Sequence, residues 1–426
     1  MIKDILIKNS SYLILTSFVG NILGFIFWII ASKYYSPNDV GIVSAILSSI
    51  TLISTISLIG FPIALIYYLP RNLINVNKII SSCLTVSIAV ATLISVLFIL
   101  GINIWTPALS SVINNLFIIG LFILLVVINT TSAILGGAFM AGRRMSFQMF
   151  KENIFGITKI VPLIFLSGLG TIGILLSWSI GLILAITVGF ILLYKLYNCF
   201  PVLTIDPIIK TMSKYATGNY IAGILNNLPK LLFPIIILSL ISSEYAGYFF
   251  IAMTMSGLLY GISQSISNSL LAESFKGDMW SNVSKAVKFN LVLLIPGLLL
   301  FLLFGRFVLG LFNPSYAEHA TPTLFILATA SIPVSVINIY NAVRNSQKRV
   351  GSVIKLSAIV TVTTLILTVP LIQTSSIEGV ALAYLIGNTI GAILVLIRIK
   401  SPKEFTLNLL RKRDRSNNES SNNINI

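Results

Sequence analysis

Charge is the scarcest thing in this chain. Only 9% of its 426 residues are Asp, Glu, Lys or Arg, against about 25% in soluble domains. A water-soluble body of this size could not cover itself with so few ionised groups, so its main solvent is lipid. Acids are scarcer than bases, 12 against 28, leaving a formal net charge of +16. In a soluble protein that surplus would point to nucleic acid. Here the bases fall between apolar runs, so they read as membrane topology and no nucleic-acid partner is expected. Two cysteines, Cys83 and Cys199, with no CxxC and no Cys/His cluster, give neither a disulfide framework nor a metal site to expect. No Walker loop is present, so the chain does not hydrolyse nucleotides itself. The single histidine, His319, stands at a helix end, and no loop carries a carboxylate or histidine constellation. An enzyme is therefore not expected, and no catalytic residue is named.

What the chain has in abundance is hydrophobic sequence, 56% of the residues. A helix crossing a bilayer core of about 30 Å needs roughly 20 apolar residues. Twelve segments meet that length, at roughly 9–32, 41–68, 78–101, 113–140, 147–168, 171–196, 214–241, 246–272, 286–305, 319–343, 350–371 and 377–399. The first lacks a small-residue cleavage site and reads as a retained span. With the N-terminus placed inside, 24 of the 28 basic residues fall on the inner side, only Lys33 and Arg306 fall outside, and Lys159 and Lys230 lie within spans. The expectation is an all-α integral membrane protein of twelve transmembrane helices with both termini cytoplasmic, multi-pass in the plasma membrane. The tail after residue 400 is basic and then Asn/Ser-rich, and is expected to be disordered.

The two halves of the chain echo one another. At a shift of 206 residues, Gly173-xx-Leu176-x-Trp178-x-Ile180-Gly181 overlays Gly379-xx-Leu382-x-Tyr384-x-Ile386-Gly387. Gly41 overlays Gly247, Ser57 overlays Ser263, Lys8 overlays Lys214 and Asn21 overlays Asn227 at the same shift. At a shift of 205, Arg143-Arg144 overlays Lys348-Arg349. Two six-helix lobes related by an internal repeat are expected, at 1–200 and 201–400, with 401–426 as the tail. Six is even, so the repeats are parallel, and transporters of that kind bind substrate near the midplane between the halves.

Lys159 and Lys230 fall near mid-span, where a cation costs about 2.5–3.5 kcal/mol on insertion scales. No acid lies at comparable depth; Glu152 is two turns from Lys159 but nearer the inner face. Both lysines are therefore expected to face one aqueous chamber, with an anion brought by the substrate as their partner. Pro229 and Pro234 bracket Lys230, and Pro162 follows Lys159 by one turn, which suits kinked helices lining a cavity. The Gly20/Gly24, Gly257/Gly261 and Gly387/Gly391 pairs have the GxxxG spacing that lets helices pack closely.

The Tyr34-Tyr35-Ser36-Pro37-Asn38-Asp39-Val40-Gly41 turn, its echo Ser242-Ser243-Glu244-Tyr245-Ala246-Gly247, the Gly142-Arg143-Arg144 loop and Gly379-Val380-Ala381-Leu382-Ala383-Tyr384 together resemble the polysaccharide transporter (oligosaccharide flippase) family of the multidrug/oligosaccharidyl-lipid/polysaccharide exporter superfamily. The resemblance covers about residues 1–400, everything ahead of the low-complexity tail. It implies a V-shaped pair of lobes around a central cavity. It also implies a flippase that moves isoprenoid-diphosphate-linked oligosaccharide from the cytoplasmic to the outer leaflet by alternating access. Lys159 and Lys230 would then hold the diphosphate, and Arg71, Arg143 and Arg144 would form a headgroup entrance, although simple positive-inside anchoring explains those three as well. Membrane lipids, and glycosyltransferases or a polymerase, are the partners this implies. No cofactor is expected, and a coupling ion, Na+ or H+, stays open. Two other functions stand beside it: a cation-coupled multidrug exporter of the same superfamily, and a non-transporting scaffold for glycan assembly.

Overall fold

Apolar runs of this length can cross lipid as helices because each backbone N–H and C=O then finds its partner within the segment. The computed structural model describes residues 19–72, 75–110, 112–113, 115–273 and 279–399, and among them it is helical with no strand. The expectations for residues 1–18, Lys276 and the tail lie outside the described residues.

The first half comprises α1 (Val19–Tyr34), α2 (Pro37–Ser57), α3 (Phe61–Tyr68), α4 (Val76–Leu100), α5 (Ile102–Trp105), α6 (Pro107–Ser110), α7 (Leu116–Ala141), α8 (Met145–Thr158), α9 (Ile160–Phe165) and α10 (Thr171–Tyr197). The second comprises α11 (Ile208–Leu240), α12 (Ser243–Glu273), α13 (Met279–Phe312), α14 (Pro314–His319), α15 (Thr321–Thr329), α16 (Ser331–Ser346) and α17 (Val350–Ile399). Among the described residues, nine helices are long and apolar enough to cross a membrane. The difference from twelve has local causes. The described part of α1 is short, the segment expected at 147–168 is broken between α8 and α9, and α17 runs through two expected spans. As one straight helix, the 50 residues of α17 would measure about 75 Å, far beyond the bilayer core. They do not run straight: Ser375 and Ser376 leave helical geometry, Ser376 with φ 51° and ψ −136°.

The repeat recurs in the backbone. Gly170, ahead of α10, has φ 52° and ψ −134°, nearly the values of Ser376 206 positions later. Three residues beyond each lies a glycine, Gly173 or Gly379, whose missing side chain makes room for the carbonyl of Leu166 or Leu371. The basic turns match too. Arg143 and Lys348 have φ 55° and 57°. The next N–H of each turn, Arg144 or Arg349, donates back to the carbonyl of Phe139 or Arg344 at 3.0 and 2.9 Å. This left-handed residue satisfies carbonyls that a helix end would leave open.

The Tyr35–Asp39 motif is a structural joint. Ser36 and Asp39 form a capping box at the start of α2. The second Asp39 oxygen accepts from the backbone N–H of Thr171, 2.9 Å away, and from its hydroxyl at 2.8 Å. Tyr35 donates its hydroxyl to the carbonyl of Leu163 at 2.7 Å. Burial, with Asp39 second, pushes the Tyr35 phenol up to about 12, so it stays a neutral donor. Most contacts between the halves run through α2, which packs on α11 and α12, with α3 also packing on α11. On the outside of the bundle α13 presents Leu299, Leu300, Leu303, Phe304 and Phe307, all more than half exposed, an apolar face suited to lipid. Several Ser and Thr hydroxyls within the spans, among them Ser49 and Thr130, donate to the carbonyl four residues back, which satisfies those donors in lipid.

Candidate functional site

A cavity of about 640 Å³ lies in the second half. Its walls come from side chains at helical spacing: Asn226 and Lys230 on α11, Tyr260, Gln264 and Asn268 on α12, Asn338, Asn341 and Asn345 on α16, and Tyr384 and Asn388 on α17. Residues three, four or seven apart share a helix face, so each helix turns one polar stripe inward. The cavity runs from Lys230, in the middle of the Tyr220–Leu240 span, to Asn345, one residue from the end of α16. That end adjoins the basic Lys348 turn. Among the described residues, Lys230 is the only lysine, arginine, aspartate or glutamate in its lining. Its Nζ sits 5.0 Å from the centre of the Tyr260 ring and, among the described residues, has no ion pair. Tyr260 is held by its hydroxyl, which donates to the carbonyl of Leu327 at 2.6 Å.

Lys159 does not share that cavity. It is 4% exposed and its Nζ lies 4.6, 4.3 and 4.1 Å from the centres of the Phe27, Phe155 and Trp178 rings. Three ring faces around one ammonium form a cation–π cage. The local sequence explains the placement. Pro162 lacks an N–H and interrupts the helix one turn earlier, and the carbonyl of Lys159 itself takes the Ser177 hydroxyl. Gly181 has no side chain where the Lys159 stem passes. In this conformation the single chamber expected for both lysines is thus two separate environments. The cage continues from Trp178 to Trp28 and on to Phe250 of α12, ring centres 6.3 and 4.7 Å apart, and so bridges the halves.

A smaller pocket of about 390 Å³ in the first half is lined by Asn129, Ser132, Gln148, Glu152, Phe155 and Trp178. It corrects two readings of the sequence. Lys151, counted as an inner-loop cation, is 1% exposed and lies 3.1 Å from Glu152 Oε1. It also donates to the Ser132 carbonyl and hydroxyl at 2.8 and 2.7 Å. Glu152 is thus a pocket acid with its own counter-ion. Gln148 steadies it from one turn away, donating to the same oxygen at 3.0 Å.

A third cleft, about 770 Å³ and largely apolar, is lined by Ile22 of α1, Leu258, Ile262 and Ile266 of α12, and Phe289 and Leu293 of α13, with Lys285 on its wall. Gly261 lines both this cleft and the Lys230 cavity. Here the GxxxG expectation divides. Gly387 and Gly391 do make room for neighbours, Thr364 and Val360 with Ile337. At Gly20, Gly24 and Gly257 an added Cβ meets nothing within 4 Å; Gly257 faces the open cavity instead. Arg71, Arg143 and Arg144 line none of these three spaces. Arg71 stacks 3.6 Å from the Tyr67 ring centre, and Arg143-Arg144 is the helix-ending turn described above. His319 is exposed and stacks on the Tyr248 ring, 5.0 Å centre to centre.

The amide stripes were present in the sequence as Asn338/Asn341/Asn345 and Tyr384/Asn388 at helical spacing, a signal that a search for charges passes over. The Lys151–Glu152 pair had no such signal, because adjacent residues on a helix point in different directions.

A bundle of apolar spans with polar stripes facing inward defines a multi-pass membrane protein, and its fold is similar to that of solved transporters of the MOP superfamily. It is similar to an inward-facing multidrug resistance MATE family transporter of that superfamily, at TM-score 0.71 and 14% identity over 90% of this chain and 96% of the other. It is also similar to the lipid II flippase MurJ in an inward closed conformation, at TM-score 0.69 and 17% identity over 91% and 87%. A third likeness is to the MATE multidrug transporter DinF-BH, at TM-score 0.67 and 15% identity over 93% and 95%. Comparison with curated proteins gives no match. The family model for polysaccharide biosynthesis protein matches residues 6–259, more than half the chain, and the protein belongs to that family.

Proposed function

We propose that this protein flips isoprenoid-diphosphate-linked oligosaccharide from the cytoplasmic to the outer leaflet of the plasma membrane by alternating access, for surface polysaccharide or glycan export. The reading includes twelve spans in two six-helix lobes, 1–200 and 201–400, with both termini and the basic turns on the cytoplasmic side. It rests on one observation above the others: a polar cavity with a lone ammonium, Lys230, adjoins an apolar cleft at Gly261. A polar head and a hydrocarbon tail joined by a diphosphate match that pairing of surfaces. An ammonium without a protein counter-ion favours an anionic guest at low dielectric. Lys230 is assigned to the diphosphate. Lys159 is enclosed in its cage and is assigned to the same anion only in a conformation that opens the cage.

A cation-coupled exporter is the second reading, and Glu152 in the first-half pocket is the observation that favours it. Lys151 already neutralises that acid, and Lys230 would repel a cationic drug from the larger cavity. The test is flipping of a fluorescent isoprenoid-diphosphate sugar in proteoliposomes, together with surface polysaccharide at unchanged protein level. Lys230→Ala is expected to abolish both. Undiminished flipping and export in that variant would sink the Lys230 assignment, no flipping by the unmodified protein would sink the flippase reading, and full export without flipping would favour the scaffold reading.

A further inference from the structure

The cavity's composition says more than its charge does. Apart from Lys230, the polar wall that the described residues give it consists of carboxamides, hydroxyls and backbone, with no carboxylate and no guanidinium among them. A carboxamide donates two hydrogen bonds and accepts through its oxygen. It is therefore matched to groups that also do both, namely sugar hydroxyls and acetamides, and it offers little to an ion. The stripe on α16 is the purest part: Asn338, Asn341 and Asn345 occupy one face over about two turns. These amides are not occupied with one another. The Oδ1 atoms of Asn341 and Asn345 are buried and have no hydrogen-bond partner among the described residues. Buried amide oxygens are normally paired, and no neighbouring side chain among the described residues ties down these two; the faces that the stripe turns to the cavity are those of the same three amides. Its position fits the same idea. Asn345 lies in the last turn of α16, at the end of the cavity far from Lys230, where the head of a molecule anchored at the lysine would reach. A volume of about 640 Å³ lies within the roughly 300–1,000 Å³ of small-ligand sites, enough for a few sugar units.

We propose that the α16 amide face is a glycan-binding subsite that takes an uncharged sugar bearing hydroxyl and acetamido groups. The assignment rests on the flippase reading for its purpose, but its chemistry can be tested separately. The probes are N,N′-diacetylchitobiose, maltotriose and farnesyl diphosphate, each added to the protein in lipid nanodiscs and followed by saturation-transfer difference NMR. Diacetylchitobiose is expected to give signals at its acetamido methyls that fall at least tenfold in N341L/N345L. Farnesyl diphosphate binding is expected to persist in that variant and to vanish in K230A. Maltotriose binding equal to that of diacetylchitobiose would leave the hydroxyls as the recognised group and overturn the acetamido part. If N341L/N345L melts early, N338L alone is expected to show the loss. No sugar signal in the wild-type protein, or the same signal in the Asn variants, overturns the subsite. Loss of farnesyl diphosphate binding in the wild-type protein with sugar binding intact overturns the diphosphate assignment and leaves the subsite standing.

Discussion

Gly41 and Gly247 meet backbone to backbone. A Cβ built on Gly41 would lie 2.8 Å from the Gly247 nitrogen, and one built on Gly247 would lie 3.2 Å from the Gly41 nitrogen. The two are separated by 206 residues, the period of the repeat, so the duplicated position packs against its own copy where α2 crosses α12. Around this crossing Ser243 donates its hydroxyl to Asn38 Oδ1. The contact joins the two halves at the Asp39 end of α2, while the cavity reaches Asn345 beside the Lys348 turn.

A disulfide across this crossing should hold that end shut. The side chains of Asn38 and Ser243 meet across it, and a disulfide there forms where their Cβ atoms come within about 4.5 Å. In N38C/S243C, oxidation is expected to cross-link nearly all of the protein and stop export, and a reductant is expected to restore it. The native thiols Cys83 and Cys199 are buried and should not interfere. For Cys199, burial pushes the thiol up to about 11, and the thiolate is the reactive form. Export that continues in the fully oxidised variant would show that the crossing does not open during transport. Gel mobility with and without reductant, read beside export, decides it.

Gly257 offers a plug. An added side chain there meets open cavity and no neighbour within 4 Å, so Gly257→Phe is expected to leave the melting temperature unchanged or slightly raised, since glycine is a poor helix former by about 1 kcal/mol relative to alanine. Export is expected to fall by at least tenfold. A variant that melts normally and exports normally would mean that cargo does not use the cavity.

The two mid-span lysines should separate by phenotype. Lys159→Met removes a cation held by three rings, each such contact worth about 0.5–2 kcal/mol, and is expected to lower the melting temperature. Lys230→Met removes an ammonium with no protein counter-ion and is expected to leave melting unchanged while abolishing transport. Equal melting curves for both variants would contradict the cage. Thermal denaturation in detergent distinguishes them.

The Lys151–Glu152 pair is expected to behave as a unit. Lys151 is 1% exposed but the Glu152 side chain is 35% exposed, so Glu152→Gln is expected to cost less than the about 3–5 kcal/mol of breaking a fully buried pair, leaving Lys151 with the Ser132 oxygens. Replacing both, in K151M/E152Q, should recover most of that loss. A double variant as unstable as E152Q alone would show that the charges do not stabilise one another. Melting of the two single variants and the double variant completes the cycle.

The sequence made the membrane class and the repeat legible for physical reasons. Hydrocarbon tolerates so few structures that twenty apolar residues already specify a helix. The repeat left its mark at residues that backbone geometry demands, Gly41, Gly173 and Arg143 with their partners. The site was legible only in part. Lys159 and Lys230 stand out in apolar runs, but nothing in a linear pattern says that Phe27, Phe155 and Trp178, from three helices, converge on one of them. Glycine spacing was ambiguous in the same way. A GxxxG pair looks the same whether it receives a neighbouring helix, as Gly387 and Gly391 do, or borders an empty space, as Gly257 does.

The apolar cleft and the amide-walled cavity share a border at Gly261, the one residue type with no side chain to stand in the way. A carrier with an oily end and a wet end could therefore cross with each end always in its own medium, as a card slides along a slot. The height of the barrier would then depend on how the bundle rocks and on how much of the wet end the cavity can hold.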